Sequence, residues 1–114
     1  MVRRFVFAVP SPGVENRTKT VSRLSGSVGL IPGALFPAVM REEAFGACHS
    51  RPVGRVRILN CRPEPLDQVT EAEVRREGFP DLTPSAFVDL FRAINGGERG
   101  QRVTRVEFEW VAEC

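Results

Sequence analysis

Lys19 is the one lysine in the chain: of 16 Lys+Arg residues, the other 15 are arginines. It lies in a dense polar string, Asn16-Arg17-Thr18-Lys19-Thr20-Val21-Ser22-Arg23. An arginine keeps its proton in proteins, whereas a lysine can lose it and act as a base or nucleophile. Arg17 and Arg23 flank Lys19, and like charges at that spacing push a lysine pKa down. The same cations admit a second reading, as a phosphate-contacting face made of Arg17, Lys19, Thr20 and Arg23, extended by Arg3, Arg4, Arg41, Arg55 and Arg57. Single-stranded RNA binding usually adds exposed aromatics on which bases stack. The chain has no Tyr, and its Phe and Trp residues fall mostly at core spacing, which leaves Phe36 and Phe45 as candidate stackers. Cys48-His49 with Cys61 lacks the short Cys spacers and the fourth ligand of a zinc site, so no metal is expected.

These residues need a scaffold to bring them together. A chain of 114 residues, 42% hydrophobic and 26% charged, reads as a single domain over 1–114 with a modest core. No apolar run approaches a membrane span. The opening Val2–Val9 stretch reads as a strand with Phe5, Phe7 and Val9 on one face, rather than as a signal peptide. Three cysteines without paired spacing argue against a disulfide framework and fit a reducing, cytoplasmic home. Charge is uneven: residues 1–62 carry ten cations and three acids (+7), residues 63–114 six cations and eleven acids (−5), together the net +2. Such a split permits a one-sided basic footprint, unless folding pairs the halves.

Further strands are expected at Leu35–Met40, with Pro37 at an edge or bulge, and at Val53–Leu59. Glu42–Pro52 reads as a loop, and Arg62-Pro63-Glu64-Pro65 as a strand stop. Thr70-Glu71-Ala72-Glu73 is a capping box opening a short helix that Gly78 ends. Thr83-Pro84 starts a second helix, with Phe87, Leu90, Phe91 and Ile94 along one face, and Asn95-Gly96-Gly97 stops it. Gly96–Gly100 reads as a connection rather than a phosphate cradle. Residues 102–112 alternate, Val106, Phe108 and Trp110 inward and Arg105, Glu107 and Glu109 outward. Helices inserted into a mainly β chain make this an α+β protein, a small barrel or curled sheet with two or three short helices.

Four segments carry a family resemblance: Glu64-Pro-Leu, Val69-Thr-Glu-Ala-Glu-Val-Arg-Arg-Glu-Gly-Phe79, Phe87–Ile94, and Val103-Thr-Arg-Val-Glu-Phe-Glu-Trp110. With Arg17-Thr-Lys-Thr-Val-Ser-Arg23 near the N-terminus, they resemble, in order, the ASCH domain family in its compact bacterial and phage form. The resemblance implies a PUA-like β-barrel with a cleft for RNA, a nucleotide or a modified nucleoside, and no cofactor. Some relatives are amidohydrolases that remove acyl groups from N4-acylated cytidine. By resemblance their catalytic Lys falls on Lys19, their nucleophilic Thr on Ser22 and their Glu on Glu77. Ser22 keeps the hydroxyl. Leu24 stands where those enzymes carry Arg, with Arg23 adjacent, and Ala34 follows Pro32-Gly33 where relatives have Asp.

On elementary chemistry such a trio is coherent. A serine hydroxyl needs a base to remove its proton, and a lysine of lowered pKa can supply one. A carboxylate at the C-terminal end of a helix faces the negative end of the dipole, which raises its pKa and suits proton transfer. Two roles therefore stand open for Lys19, phosphate contact and titrating base. Among its partners, Glu77 could equally be a solvated helix end screened by Arg75 and Arg76.

Overall fold

A computed structural model describes residues 4–9, 11–26, 29–44 and 47–112, with the side chains of 43, 44, 47 and 48 excepted. In chain order it comprises β1 (Phe5–Phe7), α1 (Pro12–Glu15), β2 (Val21–Ser25), β3 (Leu35–Ala44) and β4 (Ala47–Pro65). A 3₁₀ turn (Leu66–Gln68), α2 (Glu71–Arg76), α3 (Pro84–Asn95) and β5 (Arg102–Trp110) follow. The five strands form one sheet in the order β1-β3-β4-β5-β2, with β1 parallel to β3 and the other pairs antiparallel.

The sheet curls. In its strand order β1 and β5 are separated by β3 and β4, yet Phe5 and Phe7 of β1 meet Phe108 of β5 at ring-centroid distances of 5.5 and 5.6 Å. Curling lets one face bury itself, so Phe7, Val56, Ile58, Val106 and Phe108 form a core inside a half-barrel. The other face of β5 meets the helices. There Val103 packs with Leu66, Val74, Phe87 and Phe91 in a second core. This is the expected small α+β barrel-like architecture.

The helix signals act as their chemistry dictates. Thr70 and Thr83 accept hydrogen bonds at their side-chain oxygens from the backbone N–H of Glu73 and Ala86, and Pro84 opens α3. The buried stripe of α3 is Phe87, Val88 and Phe91, whereas Ile94 remains 41% exposed.

Several expectations need correction. Glu42–Pro52 is not a loop: β3 runs to Ala44 and pairs with β4 from Ala47, so the segment is mostly hairpin. Pro63 and Pro65 do not stop β4. Beyond Arg57 that strand pairs with β5 alone, and a proline is tolerated where no ladder partner awaits its missing N–H. Pro37 obeys the same rule, since pairing with β1 begins at Ala38, beside the irregularity between Ala38 and Val39. Phe36 packs against the first core and is half-buried, so it is no free stacking platform. Phe45 lies outside the described residues. Arg105, expected outward into solvent, is buried, because α2 covers that face. The basic and acidic halves also interleave: Arg23 binds Glu64, Glu73 and Glu77, and Arg57 binds Glu109.

One close approach ties the N-terminal segment to α2. Gly13 N–H donates to Gly78 O at 3.1 Å, and a Cβ on Gly13 would lie 2.4 Å from Gly78 Cα. Gly78 itself has φ +94°, with Ser11 Oγ 2.5 Å from where its Cβ would be. Since the obstacle to a Gly13 side chain is backbone, it cannot rotate away. Gly13→Ala is expected to destabilise the protein by about 1–3 kcal/mol, the usual range for overpacking. Urea unfolding checks this, and Gly29→Ala, which has open space around it, serves as the control.

Candidate functional site

The Gly13–Gly78 contact delivers Lys19 to α2. Lys19 N–H donates to Gly13 O at 3.1 Å, Thr20 N–H to Arg76 O at 2.8 Å, and Trp110 Nε1–H to Lys19 O at 2.8 Å. With its backbone held on three sides, Lys19 turns inward and is only 2% exposed. Its Nζ donates to Glu77 Oε1 at 2.7 Å and to Glu77 O at 2.8 Å. Glu77 caps the C-terminus of α2 and is 3% exposed. It is not a solvated helix end screened by its neighbours: Arg75 pairs with Glu71 and Arg76 with Glu107.

Arg23 completes the hold on Glu77. From β2 its Nη1 donates to Glu77 Oε2 at 3.0 Å, its Nε to Glu64 Oε1 at 2.9 Å, and its Nη2 to both Glu64 and Glu73. Arg105 lies directly across from Arg23 in the β2–β5 register, an unfavourable like-charge placement by itself. Glu73 resolves it by accepting from both guanidinium groups. Three cations (Lys19, Arg23, Arg105) and three carboxylates (Glu64, Glu73, Glu77) thus form one connected network, which Arg62, Arg76 and Glu107 extend at its rim.

Burial sets the proton affinity of Lys19. Desolvation pushes its pKa below the ordinary 10.5, the Glu77 carboxylate pulls it back up, and Arg23 adds a smaller downward push. The flanking arginines are therefore not the main cause. Arg17 takes no part: its guanidinium lies over the Trp110 ring at 4.7 Å and donates to Val53 O at 3.0 Å. Glu73 is held at about 2, first by the Arg105 hydrogen bond, with burial opposing and Arg23 assisting.

Ser22, 6% exposed, lines a small cavity of about 40 Å³ together with Lys19, Arg23 and Glu77. Leu24, Phe91 and Asn95 form part of its remaining wall. The three residues that resemblance places in one catalytic trio therefore border one space. Ser22 is not hydrogen-bonded to Lys19, whose two bonds both go to Glu77. A cavity of this size admits a few waters or a group of a few heavy atoms.

The four residues named for a phosphate-contacting face do not share a surface. Lys19 and Arg23 are buried among carboxylates, Thr20 Oγ1 accepts from Arg76 Nε at 3.2 Å, and Arg17 alone is exposed. Two larger, open grooves of about 370 and 400 Å³ flank Arg17, one bordered by Glu15, Arg51 and Gly54, the other by Trp110 and Val111. Neither holds the titratable cluster.

Sequence reasoning missed Glu64, Glu73, Arg105 and Trp110 as site residues. Glu73 was visible only as the closing member of a capping box. Its side chain instead leaves the cap for Arg105 and Arg23. Of the candidate metal ligands, Cys61 Sγ donates to Leu30 O at 3.3 Å and His49 lies 3.7 Å from Glu42, while the Cys48 side chain lies outside the described residues. No group of three or more His, Cys, Asp or Glu among the described residues could hold a metal. No helix among them is long and apolar enough to cross a membrane.

Comparison with known proteins adds a fold. No family model matches the chain, and no curated protein matches it significantly. Among solved structures, protein EF3133 from Enterococcus faecalis V583, assigned to the family model DUF984, superposes with a TM-score of 0.61 at 16% identity. The match covers 97% of this chain and 82% of the other. That likeness extends the α+β fold over nearly the whole chain.

Two predictions test the cluster. Glu77→Gln leaves Lys19 and Arg23 without their shared carboxylate, and removing one partner of a buried pair costs about 3–5 kcal/mol. A urea titration followed at Trp110 should register a loss of that size. Glu73 contributes acid-sensitive stability. Its folded pKa of about 2 lies below the ordinary 4.5, so it contributes stability in full above pH 4.5 and loses it as pH falls through 2. Glu73→Gln should flatten the pH dependence of the urea midpoint across that window, and an unchanged slope would refute the assignment.

Proposed function

We propose that this chain binds a nucleoside- or nucleotide-type ligand at the Lys19–Glu77 cavity and hydrolyses an amide there, as an ASCH-type amidohydrolase acting on an N4-acylated cytidine. The observation that carries the reading is the shared cavity of Lys19, Ser22 and Glu77. Burial of a lysine beside a carboxylate supports base chemistry, because a phosphate contact needs an accessible cation and this one is only 2% exposed. The ASCH resemblance supplies the substrate class. A polynucleotide-binding surface is the weaker reading, since two of its four residues, Lys19 and Arg23, are committed to carboxylates.

In this mechanism the small cavity takes the acyl end of the ligand, with the base across its mouth. Neutral Lys19 removes the Ser22 proton as Oγ bonds to the acyl carbon. Glu77 orients the amine and stabilises the ammonium that forms. The C–N bond then breaks, and the departing amine takes the proton from Lys19. A water, deprotonated in turn by Lys19, attacks the acyl carbon; the bond from that carbon to Ser22 Oγ breaks, Oγ takes the proton back from Lys19, and the carboxylic acid leaves. The sum is amide plus water giving amine plus acid. Arg23 holds Glu77 from the far side and keeps its carboxylate aimed at Lys19.

Cytidine release from N4-acetylcytidine, followed by chromatography, tests the proposal. Ser22→Ala and Lys19→Arg should each lower kcat by at least about 100-fold, the scale of lost acid–base assistance. Lys19→Arg retains the charge and removes the titratable amine. Wild-type inactivity, or variants that match wild type, would overturn the reading. The pH profile offers a separate check: kcat/KM should rise with pH as Lys19 deprotonates and level off below 10.5, because burial lowers its pKa.

A further inference from the structure

We infer that Asn95 is the donor that receives the acyl carbonyl oxygen of a ligand in the Lys19 cavity; this rests on the amide-hydrolysis reading. Attack on an amide carbon turns the carbonyl oxygen into an oxyanion, which needs a positioned hydrogen-bond donor. The cations bordering the cavity are largely spent. Both hydrogen bonds from Lys19 Nζ go to Glu77. Arg23 commits its Nε, one Nη1 bond and two Nη2 bonds to Glu77, Glu64 and Glu73. Ser22 is the nucleophile of the same reaction, and Ser25, which also borders the cavity, is exposed to solvent.

Asn95 is different. It is the last residue of α3 and borders the cavity with a neutral carboxamide. Its Nδ2 donates to Phe91 O at 3.3 Å, which occupies one of two N–H groups. The second N–H and the side-chain oxygen make no other hydrogen bond among the described residues. Around it Val9, Leu24, Phe87 and Phe91 supply an apolar wall, where a donated hydrogen bond is stronger than in water.

The test combines kinetics with the side-chain amide resonance of Asn95, assigned by its disappearance in Asn95→Asp. In Ser22→Ala protein, which holds substrate without turnover, N4-acetylcytidine should shift that resonance and cytidine should leave it nearly unmoved. In the wild-type background Asn95→Ala should lower kcat about 100-fold or more, the typical loss for one oxyanion donor, with KM changed less than about threefold. A merely structural residue would change the unfolding midpoint and leave this split absent. If backbone resonances of Lys19 or Glu77 respond to N4-acetylcytidine while the Asn95 amide does not, the inference is overturned. Unchanged kcat in Asn95→Ala overturns it as well. A shifted Asn95 amide without any cytidine release by wild type would refute hydrolysis and leave Asn95 standing as the carbonyl donor. No response at any resonance would remove both.

Discussion

The buried ion pair between Lys19 and Glu77 is the constraint around which the rest of the site is arranged. Two opposite charges taken out of water stay stable only when their remaining hydrogen-bonding capacity is met. Glu77 meets this by accepting from Arg23 at its second carboxylate oxygen, and Lys19 by a further bond to the Glu77 carbonyl. Arg23 then requires carboxylates of its own, which Glu64 and Glu73 provide, and Glu73 in turn neutralises Arg105. Each buried charge demands the next. The chain of demands ends where β5, β4 and α2 reach half-exposed positions that water can serve.

This cluster also explains the joint between the two cores. One lies inside the curled sheet and the other beneath α2 and α3. Lys19 comes from the segment linking α1 to β2, Glu77 from the end of α2, and Arg23 from an edge strand of the sheet. Purely apolar packing would hold such a joint without fixing its register. Directional ion pairs select one arrangement, and the Gly13–Gly78 backbone contact permits the approach. The same arrangement leaves a small cavity whose wall is apolar on one side and titratable on the other.

Local chemistry made much of the fold legible. The Thr70 and Thr83 caps, Pro84, and Gly78 and Gly96 mark helix ends by interactions within a few residues, and those marks hold. Alternation at Val106 and Phe108 assigns the inner face of β5 for the same reason. Errors arose where a distant partner decides. Pro63 reads as a strand stop until β4 is seen to have a free side there. Arg105 reads as solvent-facing until α2 covers it. Ile94 continues the apolar period of α3 yet stays 41% exposed.

The candidate site divides along the same line. From sequence alone Lys19 was singular in type, and resemblance paired it with Ser22 and Glu77. Composition could not tell a phosphate contact from a buried base, because charge type is local whereas exposure is global. Tertiary structure decided that Lys19 is buried, that its lowered proton affinity comes first from desolvation, and that Arg17 belongs to a different surface over Trp110. It also recruited Glu64, Glu73 and Arg105, whose roles depend on partners 32 to 50 residues away in the chain. Helix caps, turns and strand alternation are written in neighbouring residues, so the sequence alone determines them. Ion pairs between distant segments depend on which surfaces the finished fold brings together, and only the fold decides them.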